Sequence, residues 1–353
     1  MTVRRPEGAG MDERDLLQAL MTGPVSGDAL ARRFGQTRAA VWKRVRALRE
    51  AGVPIQARPG RGYMLATPLD LLDAEAIRAA LPAPLLAQLQ TLELAWSIDS
   101  TNSELLRRPS ADLQPRRARV LLAERQTGGR GRRGRVWVSP LAAHLYLSLG
   151  RRFEGGLARL GGLSLVAGIA TVEALHALGV QQARLKWPND IVVEDADGLR
   201  KLGGLLVEGG GEHAGPAHAV IGLGLNVRMP ADDAAASIGQ PWCDLAGLAA
   251  DGACDRNRLA ATLLAHWLPA LTTFDVEGLA PFLPRYAALD VLRGRRVTLH
   301  SETGSRAATV TGLAADGALQ VRLASGEVCN VHSGEVSVRR EAADAARNRE
   351  DTP

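Results

Sequence analysis

Gln126-Thr-Gly-Gly-Arg-Gly-Arg-Arg-Gly-Arg135 follows the apolar run Val120-Leu-Leu-Ala123, and Lys186-Trp-Pro-Asn-Asp190 closes a second strand-like run downstream. The first stretch alternates four arginines with four glycines in ten residues. Glycine lets the backbone bend freely and come close to a ligand. Arginine offers a planar, permanently charged fork that matches carboxylate and phosphate oxygens. Together they make a loop suited to closing over an anion. Arg-Gly runs also occur in disordered tails that bind nucleic acid, but those are repetitive and terminal. This one lies between strand-like runs inside a globular stretch.

Around it, residues 68–290 read as one unit. A helix is expected near Ala74–Leu81, interrupted by Pro82 and Pro84 before another helix. A strand near Leu92–Ile98 leads into Asp99-Ser-Thr-Asn-Ser-Glu104, whose hydroxyls and amides would cap a helix over Glu104–Arg108. Further strands are expected at Val120–Ala123, His144–Leu149, Arg184–Trp187, Ile191–Val193, Gly204–Glu208 and Ala219–Gly224, with a long helix over Leu157–Leu178. Helices near Asn257–Asp275 and Glu277–Leu289 complete the unit. Most strands can be neighbours in sequence, with helices gathered between some of them. That pattern is an α+β sheet covered on one side, not a doubly wound fold.

Residues 11–66 carry helical spacing at Leu16, Leu17, Leu20 and Met21, a short helix from Gly27 to Phe34, and a longer one over Ala39–Ala51. Thr37 suits its N-cap and Gly52 its C′ position. Strands around Val53–Ala57 and Gly62–Leu65, joined by Arg58-Pro-Gly-Arg61, complete a winged helix-turn-helix outline. In that outline the second helix of the pair enters the DNA groove. Its Arg38, Lys43, Arg44 and Arg46, with Arg58 and Arg61 on the wing, are side chains for phosphates or base edges. The plainer alternative is a small helical domain with a solvated basic face. Residues 291–340 read as short strands at Arg295–His300, Ala307–Leu313, Leu319–Leu323, Glu327–Val331 and Glu335–Arg339. Turns at Glu302-Thr-Gly-Ser, Ala315-Asp-Gly and Ser325-Gly-Glu join them, as in a small SH3-like barrel. The polar ends, 1–10 and 341–353, are expected to be disordered.

The bulk properties permit this reading. The chain has 353 residues, enough for two or three domains, and a net charge of +5 allows an anionic partner without requiring one. Its three cysteines are unpaired by spacing, so neither disulfides nor structural zinc are expected, and no metal-ligand set is proposed. The longest uncharged apolar segment, Leu160–Val172, is too short for a membrane span. The start of the chain lacks an apolar signal core. The expectation is a cytoplasmic protein with no membrane partner.

Chemistry gathers in the central unit. Ser100, Thr101 and Asn102 suit a small polar head group. Gln126 adds an amide; Arg130, Arg132 and Arg135 add charge on a mobile loop; Lys186 ends a strand beside Asn189 and Asp190; Lys201 precedes a Leu-Gly-Gly turn; Asn226 ends Gly222-Leu-Gly-Leu-Asn226. Converging cations without a Ser-His-Asp or Cys-His set suit a reaction between two anions, such as carboxylate attack on a nucleotide α-phosphate. No GxxxxGK[ST] loop is present, so ATP would be held another way. Each motif has a plainer explanation: Ser100-Thr-Asn as a helix cap, the 186–190 stretch as a strand-turn with Trp187 in the core, and Gly222-Leu-Gly as close strand packing. The seven histidines form no cluster.

Gln126-x-x-Gly-Arg-Gly-Arg-Arg-Gly-Arg-x-Trp137, Lys186-Trp-Pro-Asn-Asp190, Lys201-Leu-Gly-Gly-Leu-Leu-Val-Glu208 and Gly222-Leu-Gly-Leu-Asn226 together resemble the bifunctional biotin protein ligases that also repress biotin operons. The resemblance covers about 15–340. It implies a class II-synthetase-like catalytic domain that converts biotin and MgATP to biotinyl-5′-AMP, then passes biotin to a lysine of a biotin carboxyl carrier protein. By position it implies that Ser100, Thr101, Asn102, Gln126, Arg130, Gly131, Arg132 and Lys201 bind biotin or its adenylate, with Arg132 retaining the intermediate. Lys186 would lie near the carboxylate and α-phosphate, with Asn189, Asp190 and Asn226 on the nucleotide or metal side. It further implies a homodimer favoured by biotinyl-AMP that binds operator DNA. Gly128 stands where many members carry alanine, the turn at Asp195–Arg200 is longer than in short versions, and Val227–Pro241 suggests a mobile nucleotide flap. A lipoate ligase, a ligand-sensing transcription factor without turnover, and a ligase that no longer regulates are the alternatives.

Overall fold

A computed structural model describes residues 12–154, 156, 160–196, 198–211, 217–230, 238–249, 254–301, 304–332 and 337–340. The polar ends, the start of the helix expected from Leu157, part of the turns at Asp195–Arg200 and Glu302–Ser305, the centre of the Val227–Pro241 stretch and the start of the last expected strand lie outside the described residues.

The chain begins with α1 (Glu13–Met21), α2 (Gly27–Arg33) and α3 (Arg38–Glu50), then β1 (Ile55–Arg58) and β2 (Gly62–Leu65). Each helix starts where a short polar side chain satisfies a free backbone N–H: Asp12 in a capping box with Asp15, then Ser26, then Thr37. Leu16, Leu17, Leu20, Leu30, Val41, Val45 and Leu48 form the helical core, while Met21 is exposed. Gly52 takes a left-handed conformation, φ 93°, just past α3, as expected of a C′ residue. β1 and β2 pair antiparallel as a wing.

Next come α4 (Ala74–Ala79), α5 (Ala83–Leu86), β3 (Leu89–Ala95), α6 (Thr101–Arg107), β4 (Ala118–Ala123), β5 (Leu145–Phe153), α7 (Leu163–Ala177), β6 (Ala183–Lys186), β7 (Asp190–Asp195), β8 (Gly198–Gly211) and β9 (Ala217–Leu225). After these lie α8 (Leu245–Leu248), α9 (Arg256–Glu277) and α10 (Leu283–Leu289). The seven strands order as β3-β4-β5-β9-β8-β7-β6, with β3 and β4 parallel and the other pairs antiparallel. Side chains alternate across this sheet. Val120, Leu122, Leu147, Leu149, Ile221 and Leu223 enter the main core with α7 and α9, whereas Leu121 and Val220 pack with Leu105 of α6 on the opposite face. The expectation of a sheet covered on one side is therefore amended: α6 covers part of the second face. Helix α9 is long and apolar enough to cross a membrane by length and composition, but its Leu259, Leu263, Leu264, Trp267, Leu271 and Phe274 are buried in the core.

The last unit holds β10 (Arg296–Ser301), β11 (Gly304–Leu313), β12 (Leu319–Leu323), β13 (Val328–Val331) and β14 (Ser337–Arg340) in the antiparallel order β13-β12-β11-β10-β14. Its Val297, Val310, Leu319 and Val321 join the core of the central sheet.

These units are tightly joined. The core of the winged unit extends to Leu141 and Ala142. Leu141 N donates to Ala51 O at 2.8 Å, and the Trp96 indole donates to the Glu13 carboxylate at 3.1 Å. The connecting segment is held by buried Arg256, whose guanidinium pairs with Glu124 at 2.8 Å and also donates to the Asp70 carbonyl.

Candidate functional site

Strands β5, β9 and β8 place Ser148, Gly222 and Leu206 in register on the face that carries α6, with Tyr146, Gly224 and Gly204 in the next such row. The glycines are the reason a cleft exists. A side chain on Gly222 would collide with the Asn102 amide, and one on Gly224 with the Trp137 ring. The explanation of Gly222-Leu-Gly as mere strand packing gives way to space for site residues. The resulting cleft, about 440 Å³, is lined by Ser100, Thr101, Asn102, Gln126, Arg130, Gly131, Arg132, Lys186, Asn189, Asp190 and Lys201, among others.

Helix α6 begins at Thr101, three residues before the expected Glu104, because Ser100 itself is the N-cap, its Oγ accepting from Ser103 N. The N–H of Thr101, which has no partner within the helix, donates to Gln126 Oε1 at 2.8 Å. Thr101 and Asn102 thus form the first turn of α6 and line the cleft, and both are buried. Ser148, fully buried on β5, lies 2.7 Å from the Thr101 hydroxyl and donates to Asn102 Oδ1 at 2.6 Å.

The arginine–glycine loop is a hydrogen-bonded hairpin. Arg130 bridges Val136, Gly131 N donates to Arg135 O at 2.7 Å, and Trp137 N donates to Gly129 O at 2.9 Å. Arg133 sits at φ 57° at its tip. A side chain on Gly129 would meet the Trp137 carbonyl, whereas a methyl on Gly128 would come only to 3.4 Å from Asp99 O. The two inner arginines differ. Arg130 pairs with Glu208 at 3.1 Å and donates to Ser103 Oγ at 3.0 Å. Arg132 donates to Asn189 Oδ1 at 3.2 Å, and burial, then the neighbouring Arg133, pulls its pKa below the usual arginine value. A half-buried cation under those influences favours an incoming anion.

Lys201 stands at an irregularity between β7 and β8, where the register shifts past Ile191 and Val192. Such a bulge re-aims a side chain. Its Nζ reaches Asp190 Oδ1 at 2.7 Å and lies 5.5 Å from the centre of the Trp137 ring. Lys186 and Asp190 are register partners across β6 and β7. Trp187 is in the core, its indole donating to Gly317 O of the C-terminal unit at 3.1 Å. The 186–190 stretch is therefore both a core strand-turn and a cleft wall. Asn226 does not line the cleft. It is buried beneath it, donating to the carbonyls of Lys201 at 3.3 Å and Cys243 at 3.0 Å, so it steadies the backbone that carries Lys201.

Three residues were missed by sequence reasoning. Ser148 is the one small polar residue in the run Leu145–Leu149, a signal that could have revealed it. Trp137 and Glu208 carry no signal in the sequence beyond their places in the motifs, Glu208 at the end of a strand-like run. Among the described residues no group of three His, Cys, Asp or Glu gathers for a metal.

In the winged unit, Arg38, Lys43, Arg44 and Arg46 stand on α3, with Arg58 and Arg61 on the wing. All but half-buried Arg44 are exposed. Arg38 pairs with Asp28 at 3.1 Å and Arg46 with Glu50 at 2.8 Å, both on the surface. Trp42 lies between them, 54% exposed, with the Arg46 guanidinium 5.8 Å from its ring centre.

Residues 94–226 match the biotin/lipoate A/B protein ligase family, 13–64 an HTH domain, and 293–339 the biotin protein ligase C-terminal domain. The chain belongs to the biotin protein ligases that carry an N-terminal helix-turn-helix domain. It is similar to the bifunctional ligase/repressor BirA of Salmonella typhimurium, 43% identical over 276 residues that make up 78% of this chain and 81% of that protein. BirA of Escherichia coli is 41% identical over 274 residues, 78% of this chain and 80% of that one. Among solved structures, the biotin protein ligase from Aquifex aeolicus in complex with biotin and ATP aligns with a TM-score of 0.58 and 25% identity, over 71% of this chain and 100% of that one.

Proposed function

We propose that the protein is a biotin ligase that forms biotinyl-5′-AMP from biotin and ATP and transfers biotin to a lysine of a carboxyl carrier protein, and that it represses transcription through its N-terminal domain. The observation that carries this is the convergence of Arg132, Lys186 and Lys201 on one cleft beside the hydroxyl–amide wall of Ser100, Thr101, Asn102 and Gln126. In the first step a biotin carboxylate oxygen attacks the α-phosphorus and the bond to pyrophosphate breaks. Two anions must approach, so neutralising and aligning them contributes most of the rate. Lys201, braced by Asp190 and the face of Trp137, is held where charge develops, and Arg132 covers the product. In the second step the carrier lysine amine attacks the biotinyl carbonyl carbon, an amide forms and AMP departs. Magnesium enters with ATP as part of that substrate. The side-chain oxygens of Asn189 and Asp190 are the hard donors at hand for it.

The basic surface of α3 and the wing supports operator binding, with biotinyl-AMP favouring a homodimer that presents two half-sites. A cytoplasmic location follows from a carrier-protein substrate and a DNA partner. The decisive experiment is biotin-dependent release of pyrophosphate from ATP, with lipoate in competition and mass spectrometry of the bound product. Biotinyl-AMP is the expected product. Lipoyl-AMP, or biotin binding without turnover, would overturn the assignment.

A further inference from the structure

Glu208 lies on β8 at the margin of a cleft built for anions, where a carboxylate would be expected to repel the ligand. Its Oε2 is already engaged: it accepts Asn102 Nδ2 at 3.0 Å and Arg130 Nη2 at 3.1 Å. A carboxylate is an acceptor only, so it turns the Asn102 amide with its nitrogen toward β8, where that nitrogen also reaches Leu206 O at 3.1 Å. The amide oxygen is left to take the Ser148 hydroxyl. Glu208 and the Leu206 carbonyl together fix the direction of the polar wall, from Thr101 through Ser148 to Asn102, and Glu208 alone ties that wall to the arginine–glycine loop.

We propose that Glu208 is a positioning residue for biotin activation: through Arg130 it anchors the loop, and through Asn102 it orients the wall that meets the polar head of biotin. The two inner arginines then divide their work. Arg130 is the anchor, its charge met by Glu208, and Arg132 is the arginine that meets the anion. Without Glu208 the Asn102 amide nitrogen keeps only the Leu206 carbonyl, so the amide is held by one acceptor in place of two and its alignment with Ser148 loosens. Arg130 would lose its ionic partner, and the loop its tie to β8. This inference rests on the reading of the cleft as the site of biotin and its adenylate.

The test uses the full-length protein and pyrophosphate release, with the KM of biotin and of ATP measured separately and the melting temperature recorded for each variant. Glu208→Ala is expected to raise the biotin KM about tenfold, the effect of losing one well-placed charged hydrogen-bonding group, while the ATP KM stays within about twofold. Glu208→Gln can offer one amide oxygen to both N–H groups, so it is expected to recover most of that loss, to within about threefold of wild type. Arg130→Ala combined with Glu208→Ala should cost less than the product of the two single effects, because both act through one contact. A lowered melting temperature with both KM values unchanged would mean a purely structural role and would overturn the proposal. So would single effects that multiply in full. Wild-type protein that releases no pyrophosphate with biotin would instead sink the reading of the cleft, before any variant is compared.

Discussion

Lys201 is held by an ion pair on one side and an aromatic face on the other, at a bulge that turns it toward the cleft. A group so restrained is set in place before any ligand arrives, and in the proposed mechanism its charge acts at the moment the two anions meet. Lys201→Ala is expected to lower the rate of adenylate formation about a hundredfold or more, the scale of losing one preorganised charge-stabilising group, as measured by single-turnover pyrophosphate release. A rate within a few-fold of wild type would place the catalytic charge elsewhere. Arg132 sits on the loop and not on the sheet, so its loss should fall on retention of the product and less on its formation. Arg132→Gly is expected to let biotinyl-AMP escape and label bystander proteins, read as biotin on bovine albumin added to the reaction. Unchanged selectivity would count against a retaining role. The residue types at these positions were legible because charge and glycine cluster in sequence. The neighbours that orient them were not: Ser148 and Glu208 reach the site from strands far apart in the chain, and only the pairing of β5, β8 and β9 brings them to Asn102.

At the scale of elements, the helices were read best where a polar cap precedes an apolar stripe, as at Thr37 before Val41, Val45 and Leu48. Strand order was not legible, since β5 pairs with β9 across an intervening helix and three other strands, a choice made by the packing of both faces. The start of α6 is hidden in the sequence because Ser100, Thr101 and Asn102 are all residue types that suit a cap, whereas Ser100 is the N-cap, with extended backbone angles, and the helix starts at Thr101. Helix α3 carries a feature that its charge pattern hid. Trp42 stands one turn from Arg38 and one turn from Arg46, exposed among cations. If α3 enters the major groove as proposed, an apolar ring there would contact a thymine methyl and Arg61 on the wing would meet phosphate. Trp42→Ala should therefore narrow the ratio of specific to non-specific DNA affinity by about fivefold, or ~1 kcal/mol, the low end of what one base contact contributes. Arg61→Ala should weaken both modes alike and reduce the salt slope by about one. Fluorescence anisotropy on a duplex selected from a random library, against a scrambled control, separates the two. Equal losses for both variants would show that Trp42 reads no base.

The whole molecule is one packed body whose junctions hold buried titratable groups, and these set how it should respond to acid. His144 joins the connecting segment, β5 and the end of β9: its carbonyl accepts from Arg256, and its Nδ1 accepts Val227 N at 3.1 Å. Burial lowers its pKa from 6.5 to about 3. Between those values the unfolded chain takes up a proton that the folded one refuses, so stability falls as pH drops below 6.5. Asp290, between α10 and β10, is the opposite case. Burial raises its pKa from 3.8 to about 6, so on acidification through that window the folded form binds the proton first and gains stability. The two slopes nearly cancel between about pH 6 and 4, and each replacement should uncover the other. Asp290→Asn keeps an oxygen for Leu292 N and should lose about 1.4 kcal/mol more than wild type on going from pH 7.5 to 5 once the Asp290 gain is gone, less whatever local relaxation returns. His144→Asn keeps an acceptor for Val227 N and should instead gain stability over the same interval, relative to wild type. Urea midpoints at the two pH values measure both. Carboxylates common to all three proteins drop out of the differences, so parallel pH profiles would mean that neither junction carries the charge-state preference its burial implies.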